Sequence, residues 1–170
     1  MTSDDHRTLR IRDLAPGDHA AVLALNLESE ALLSPMDGAR LLELLRETAY
    51  HRVLVDDGDR VLAFLLAFRE GCGYDSPNYR WFQAHYPRFL YIDRIAVSST
   101  QQGRGLGAVL YRDLFAFARA GAAGAVACEF YSQPLNEGSS RFHAKFGFGE
   151  VGTQWVAEGR KQVSLQIAAL

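Results

Sequence analysis

Between residues 102 and 107 the chain reads Gln102-Gly103-Arg104-Gly105-Leu106-Gly107, which places a glycine at every second position. Alternating glycines let a backbone turn tightly and approach a ligand, because no Cβ atom stands in the way. A strand-like run, Phe89–Val97, precedes this stretch, and a helical pattern, Ala108–Ala120, follows it. Since a helix N-terminus presents unpaired N–H groups and a positive dipole end, the segment predicts an anion site, most often one for phosphate.

Length and composition narrow the class of protein. A chain of 170 residues with 48% apolar residues fits one globular domain over residues 1–170. The formal net charge of −2 argues against nonspecific binding of nucleic acid. Cys72 and Cys128 lack metal-ligand spacing, so they predict free thiols and no metal site. The polar start Met1–His6 and the lack of a long apolar run favour a cytoplasmic protein with no membrane partner.

Periodicity and turn residues predict the element order β-α-α-β-β-β-α-β-α-β-β, which is a mixed α/β fold with a largely antiparallel first half. Residues 71–88 hold many aromatic side chains without a clean period and are expected to be irregular. Gly121 and Gly147 are expected to follow helix ends as C′ residues. The predicted strands are 8–12, 51–55, 60–68, 89–97, 125–131, 151–157 and 162–167. The predicted helices begin near residues 19, 38, 108 and 137, and the first of them extends to about Leu33.

Two known phosphate loops can be compared with the glycine run. A P-loop ends in Gly-Lys-Ser/Thr, whereas Gly107 is followed by Ala108 and Val109, which excludes it. The dinucleotide fingerprint G-x-G-x-x-A is matched by Gly103, Gly105 and Ala108. However, four polar residues separate the strand from the glycines, and too little chain follows to complete a doubly wound sheet. A dinucleotide-binding protein therefore stays a less favoured alternative.

The run Gln102–Gly107 also satisfies the pattern Q/R-x-x-G-x-G/A, and Ile92–Gly107 resembles motif A of the GNAT superfamily of acyl-CoA-dependent N-acyltransferases. Further along the chain, Asn136 resembles the family's pantetheine-contacting asparagine, and Phe142–Phe148 resembles the motif that closes its fourth helix. The resemblance extends over most of the chain. It implies a single GNAT-like domain with a central, mixed, mostly antiparallel sheet that splays between strands 4 and 5 and is flanked by helices.

The resemblance also implies acetyl-CoA as the cofactor and assigns its contacts. The loop amides would hold the pyrophosphate, and Arg104 would add a positive charge. Main-chain groups of Ile95–Val97 would pair with pantetheine and stabilise the thioester oxyanion. Asn136 has an equally good alternative role as the N-cap of the following helix. The expected cofactor-binding residues are Ile95, Ala96, Val97, Gln102, Gly103, Arg104, Gly105, Leu106, Gly107, Ala108, Asn136, Ser139 and Phe142.

The chain departs from the family pattern at His143. The family usually has a tyrosine there, which protonates the departing thiolate. An imidazole, with an ordinary pKa of about 6.5, could serve as acid, base or water anchor. Ser139 lies one helical turn earlier on the same face and could orient the ring. A histidine that packs against the cofactor without a proton role is the alternative.

Two acidic residues within predicted neighbouring strands are candidate proton acceptors, because a protonated amine must lose a proton before it attacks. These are Asp93 and Glu129, of which Asp93 is favoured, and an ion pair with Arg94 or another surface arginine is the alternative for either. The aromatic segment 71–88 is a candidate wall of the acceptor site. A segment that packs on the core or in a dimer contact is the alternative there.

Together these features predict an N-acetyltransferase that moves the acetyl group of acetyl-CoA directly to a primary amine of a small molecule or peptide. No cysteine nucleophile is needed for that reaction, and the catalytic candidates are His143, Asp93 and Glu129. A non-catalytic acyl-CoA sensor on the same fold is the main alternative, because the family's tyrosine is missing. The resemblance also makes a homodimer a candidate assembly.

Overall fold

A computed structural model describes residues 8–170, so Met1–His6 lies outside the described residues. The described chain forms seven strands and five helices. In chain order they are β1 (Arg10–Asp13), α1 (His19–Glu28), α2 (Gly38–Glu47), β2 (Tyr50–Val55), β3 (Val61–Arg69), α3 (Pro77–His85), β4 (Leu90–Val97), α4 (Leu106–Ala120), β5 (Ala125–Gln133), α5 (Glu137–Lys145), β6 (Gly149–Val156) and β7 (Lys161–Ala169).

All seven strands belong to one sheet with the order β1-β2-β3-β4-β5-β7-β6. The pairs β1–β2, β2–β3, β5–β7 and β6–β7 are antiparallel, whereas β4 and β5 run parallel. The β4–β5 pairing has only two registers, Leu90 with Val126 and Tyr91 with Ala127. The outer strand β6 carries a bulge between Glu150 and Gly152. The predicted fold class, with a splay between strands 4 and 5, is confirmed.

Contacts within the described chain group it into two compact units. The first unit contains the chain up to Ala67 together with Arg94–Leu114, and the second contains Phe68–Asp93 and Phe115–Leu170. Strands β3 and β4 and helix α4 each contribute residues to both. Apolar side chains fill each unit's interior, led by Val22, Leu41, Leu44, Val53, Leu54 and Leu110 in the first and by Tyr79, Phe82, Phe89, Tyr91, Val126 and Leu165 in the second. The single domain over residues 1–170 stays a prediction.

Helix α3 lies inside the segment that the sequence predicts to be irregular, so that prediction is wrong. The Ser76 side chain caps the helix by accepting a hydrogen bond from the Tyr79 N–H, and Pro77 occupies the first turn. Tyr79 and Phe82 form its buried face. Aromatic residues on the other faces hide this period, although a serine followed by proline is a typical helix start.

Three helix ends also differ from expectation. Helix α1 ends at Glu28, because the Asn26 side-chain amide donates to the Ser34 carbonyl and the chain turns back. Helix α4 begins at Leu106, two residues early. After α4 the left-handed residue is Ala122, with a φ of 54°, whereas Gly121 lies where a Cβ would approach the Arg69 Nη1 atom to 3.0 Å. Gly147, with a φ of 81°, follows α5 as predicted.

The contact between Trp81 and strand β6 makes Gly152 a specific test of packing in the second unit. A Cβ atom at Gly152 would lie 2.8 Å from the Trp81 ring, closer than carbon atoms approach. We expect Gly152→Ala to lower the free energy of unfolding by about 1–3 kcal/mol, because the rigid indole must move. Chemical denaturation measures this change.

Gly149→Ala is the matched control, because a Cβ there would meet nothing within 4 Å in the same strand. We expect it to leave the free energy of unfolding unchanged or slightly higher. Equal losses in the two variants would show that the indole does not restrict position 152.

Candidate functional site

The glycine run forms the loop between β4 and α4, within the first unit. After Val97 the chain makes a short 3-10 turn at Ser99–Gln101 and enters α4 at Leu106. Gly103 and Gly105 have φ angles of 76° and 78°, in the left-handed region where a side chain strains the backbone. A Cβ atom at either position would meet no heavy atom within 4 Å. Both glycines are therefore required by backbone conformation and leave the loop open to a ligand.

The amide groups of this loop lack protein partners. Within residues 8–170, no N–H group from Gln102 to Ala108 donates a hydrogen bond to another protein atom. The N–H of Val109 is the first to be paired, with the Gly105 carbonyl at 3.2 Å. Residues 102–105 are also exposed. Unpaired donors at the start of a 15-residue helix form the arrangement that binds anions.

Side chains hold this loop in place and bring a positive charge to it. The Arg104 guanidinium donates through Nη1 to the Oε1 atom of buried Gln101 at 2.6 Å. At the start of the preceding turn, the Ser99 N–H donates to Glu28 Oε2 at 2.8 Å. The loop therefore combines fixed N–H donors with a tethered cation, both of which favour a phosphate group.

Two acidic side chains of the second unit lie where β4 and β5 stop pairing. Asp93 and Glu129 each follow the last paired residue of their strand by two positions. Strand alternation therefore gives each acid the same face as that paired residue. The Tyr74 hydroxyl donates to Asp93 Oδ1, and the Tyr91 hydroxyl donates to Glu129 Oε1 at 2.8 Å.

Glu129 has the environment of a carboxyl group that stays protonated. Its Oε2 atom is buried and has no hydrogen-bond partner among the described residues. Burial raises the pKa of Glu129 to about 8, with a further increase from the charge of Asp93, whereas the hydrogen bond from Tyr91 and the nearby Asn78 amide act in the opposite direction. A carboxyl group with this pKa can take up and release a proton near neutral pH.

Burial also affects the groups next to Glu129. It raises the pKa of the Tyr91 hydroxyl and that of the Cys128 thiol well above their ordinary values, with a further contribution from the Glu129 charge in both cases. Cys72 and Cys128 are free, as predicted. The environment of Cys128 opposes formation of a thiolate, so it is not an activated nucleophile.

Helix α5 carries the remaining candidates, also within the second unit. The Asn136 side chain accepts a hydrogen bond from the Ser139 N–H at 3.1 Å, so it is the N-cap of α5. His143 is buried, and its ring stacks on Phe130 with centroids 5.4 Å apart. Phe142 and Phe148 contact the same imidazole edge-on.

A backbone contact determines the tautomer of His143. Its Nδ1 atom lies 2.7 Å from the Ser139 carbonyl oxygen, which can only accept, so Nδ1 carries the proton. The Ser139 hydroxyl lies 3.1 Å from the same nitrogen. Burial lowers the pKa of His143 below its ordinary value, although the Ser139 carbonyl acts in the opposite direction. The neutral ring therefore offers Nε2 as a hydrogen-bond and proton acceptor.

A comparison with known families adds to these observations. The model of the acetyltransferase (GNAT) family matches residues 20–148, which is more than half of the chain. This chain belongs to the GNAT family. No curated protein matches this GNAT chain significantly.

Solved structures of similar fold support the assignment of the architecture. Ard1 from Thermoplasma volcanium has a TM-score of 0.75 and 19% identity, covering 95% of this chain and 99% of that one. The NatC complex bound to Gag peptide and CoA has a TM-score of 0.74 and 13% identity, covering 95% of this chain and 98% of that one. An N-acetyltransferase from Staphylococcus aureus has a TM-score of 0.71 and 18% identity, and it also covers 95% of this chain and 98% of its own. The TM-scores show that these proteins share the fold of this chain, and the low sequence identities carry no further conclusion.

The structure groups the predicted site residues of this GNAT protein by unit. The loop residues 102–108 and the strand residues Ile95–Val97 lie in the first unit, and the remaining candidates lie in the second. The Arg94 Nη1 atom donates to Asn26 Oδ1 at 3.0 Å and to the Ser34 carbonyl, both in the first unit. The roles of all these residues toward a cofactor stay predictions.

Sequence reasoning missed Tyr74 and Tyr91 as hydrogen-bond partners of the two acids, and Asn78 as a neighbour that lowers the pKa of Glu129. Tyr91 precedes Asp93 by two positions and therefore shares its face of β4, which was a usable signal. Tyr74 and Asn78 come from the segment 71–88, whose aromatic character concealed their polar contacts.

Among residues 8–170, no helix has the length and apolar character needed to cross a membrane.

The tautomer of His143 leads to a prediction for nuclear magnetic resonance. We expect ¹⁵N spectra to show the Nδ1–H form, with a titration midpoint below the ordinary 6.5. Because the folded state binds this proton more weakly than the unfolded state, His143 should reduce the free energy of unfolding as the pH falls below 6.5.

Ser139→Ala provides the control, since it removes the hydroxyl group and keeps the backbone carbonyl. We expect its Nδ1–H tautomer to be unchanged. A dominant Nε2–H tautomer in the unmodified protein would contradict the assignment.

Proposed function

We propose that this protein is an N-acetyltransferase that moves the acetyl group of acetyl-CoA directly to a primary amine of a small molecule or peptide. The observation that carries this proposal is the row of N–H groups from Gln102 to Ala108 without protein acceptors. Family membership supports the transfer of an acetyl group. A cytoplasmic location and a homodimer stay predictions.

The loop fits the diphosphate of coenzyme A in both charge and shape. Its donors are fixed by the helix start, and the tethered Arg104 adds a cation that does not have to be ordered on binding. Gly103 and Gly105 keep the backbone open to phosphate oxygens. When bound, acetyl-CoA supplies an activated acyl thioester. The protein then has to hold the phosphates and manage protons.

The acids of the second unit account for the proton of the attacking amine. Both side chains are half-buried, but Asp93 carries the hydrogen bond from Tyr74, whereas the Oε2 atom of Glu129 is buried and has no partner among the described residues. A base whose pKa is about 8 is matched to removal of a proton from an ammonium group near neutral pH. We therefore assign Glu129 as the base, with Asp93 as its charged neighbour.

His143 fits the role of an acceptor better than that of an acid. In the neutral Nδ1–H form, its Nε2 atom has no proton to give to a departing thiolate. This feature also favours a second candidate function, an acyl-CoA sensor that binds without turnover. The two candidates differ in whether an amine triggers release of free CoA.

Substitution of a loop glycine tests cofactor binding. We expect Gly105→Ala to raise the Kd for acetyl-CoA by about 5- to 30-fold, because a side chain in the left-handed region costs about 1–2 kcal/mol and reshapes the donors. Isothermal titration calorimetry measures this Kd. Unmodified protein that does not bind acetyl-CoA would rule out the proposed function.

Gly71→Ala is the matched control for backbone strain. Gly71 has a φ of 84° and an open environment, but it belongs to the segment before α3. We expect its thermal stability to fall while its Kd for acetyl-CoA stays unchanged. A similar loss of affinity in both variants would point to general destabilisation.

Substitution of the proposed base tests turnover. We expect Glu129→Gln to reduce kcat by about 10²- to 10⁴-fold with little change in the Kd for acetyl-CoA. Because the base acts without its proton, the rate of the unmodified enzyme should rise with pH and level off above about 8. Release of free thiol from acetyl-CoA is measured with spermidine, phenethylamine and a tripeptide with a free N-terminus.

The control is Glu158→Gln in the turn between β6 and β7, where the glutamate is exposed and should not affect the rate. Thiol release that depends on an added amine supports the enzyme. Binding of acetyl-CoA without amine-dependent release would support the sensor.

A further inference from the structure

A cleft lies between the end of α1 and the start of α2, within the first unit. Its volume of about 350 Å³ is at the lower end of the range for pockets that hold small molecules. Its apolar lining consists of Leu27, Pro35 and Met36. Leu27 is 66% exposed, although its side chain is large and apolar. The cleft therefore offers uncovered apolar surface to a compact ligand, and covering that surface is favourable.

Two exposed acids, Glu30 and Asp37, line the same cleft. Within residues 8–170 the Glu30 carboxylate has no hydrogen-bond or ion-pair partner. Asp37 accepts a hydrogen bond from the Arg40 N–H through Oδ1 at 2.8 Å, which caps α2. Arg40 also lines the cleft, but its Nη1 lies 3.2 Å from Glu43 Oε2, and this acid offsets its charge. The cleft therefore has an excess of negative charge, which attracts a cation.

A buried arginine connects this cleft to strand β4. The Arg94 Nη1 atom donates to Asn26 Oδ1 at 3.0 Å and to Met36 Sδ at 3.6 Å, and both of these residues line the cleft. Arg94 directly precedes Ile95–Val97, the strand residues that we expect to pair with pantetheine. The cleft therefore lies beside the strand on which the thioester is expected, and both belong to the first unit.

We propose that this cleft binds the acceptor, and that the acceptor is a primary amine with a compact apolar body, of the arylalkylamine class. The proposal rests on the proposed function, because it names the class of amine that receives the acetyl group. The apolar body lies against Leu27 and Met36, which are therefore specificity-determining residues. The charges of Glu30 and Asp37 draw the protonated amine toward the cleft.

Size and polarity favour this class over the other amines. A polyamine carries charge along its whole length, so it would leave Leu27 and Met36 uncovered. The N-terminal segment of a protein needs a groove that is long enough for several residues, whereas about 350 Å³ suits a small molecule. An arylalkylamine matches both the apolar lining and the acidic charge.

Met36 provides a spectroscopic probe of the cleft, because the chain contains only two methionines, Met1 and Met36. With ¹³C-labelled methionine methyl groups, the Met36 signal is the one that Met36→Leu removes. We expect phenethylamine to shift this signal in the full chain without any cofactor, with a Kd on the order of 1 mM for a ligand of this size.

Two further ligands separate the apolar body from the charge. The neutral alcohol 2-phenylethanol keeps the aromatic body, and spermidine keeps the positive charge. We expect each to bind about 2- to 10-fold more weakly than phenethylamine, because each lacks one of the two contributions. A tripeptide with a free N-terminus represents the protein alternative and should also bind more weakly.

Variants of exposed residues test the lining without disturbing the core. We expect Leu27→Ala to raise the Kd for phenethylamine about 3- to 10-fold, and to raise its KM with little change in kcat. Leu32→Ala is the matched control, because Leu32 is 56% exposed nearby but does not line the cleft. We expect Glu30→Gln to raise the Kd about 2- to 5-fold. Its control is Asp57→Asn, an exposed acid in the turn between β2 and β3 that should have no effect.

The proposal is overturned if phenethylamine leaves the Met36 signal in place both alone and with saturating coenzyme A, or if Leu27→Ala binds it as tightly as the unmodified protein does. Equal or tighter binding of spermidine or the tripeptide also overturns it and assigns the cleft to that class. So does a protein that acetylates one of the other amines but not bound phenethylamine.

Calorimetry with acetyl-CoA reports separately on the proposed function. A protein that binds phenethylamine in the cleft but binds no acetyl-CoA keeps the amine site and loses the transferase. A protein that releases thiol from acetyl-CoA with spermidine, while phenethylamine does not affect the Met36 signal, keeps the transferase and loses the amine site.

Discussion

The short parallel pairing of β4 and β5 is the constraint on which the rest of the second unit depends. Two registers of hydrogen bonds bring the strands together, and the residues that follow have no ladder between them. Asp93 and Glu129 lie two positions beyond the last paired residues. Carboxyl groups removed from water at such a position need hydrogen-bond donors. The hydroxyl groups of Tyr74 and Tyr91 provide them.

The segment 71–88 contributes both apolar packing in the core and a hydrogen bond to Asp93. Its aromatic rings pack as a cluster, in which Tyr74 stacks on Phe68 with centroids 4.1 Å apart and Tyr79 meets both rings edge-on. Polar atoms on the same side chains reach Asp93 and the Arg69 carbonyl. One set of residues therefore supplies both the apolar packing and the hydrogen bonds, so a core substitution there would also alter the acids.

Features set by neighbouring residues could be predicted from the sequence, and those set by distant residues could not. The glycine loop, the Asp37 cap of α2 and the glycine after α5 depend on local backbone demands, and all three were predictable. Asp93 was favoured over Glu129 because strand alternation is visible in a sequence. The environment of Glu129 depends on partners that only the fold brings together, so its raised pKa had no local signal.

The bulge in β6 has a consequence for assembly. This strand is the last in the sheet, and an outer strand with regular backbone geometry can recruit a strand from another molecule. The irregular register at Glu150 and Gly152 interrupts its free row of peptide groups. Continuous extension of the sheet by a second copy is therefore disfavoured at this border, which helps the folded chain resist fibrous aggregation.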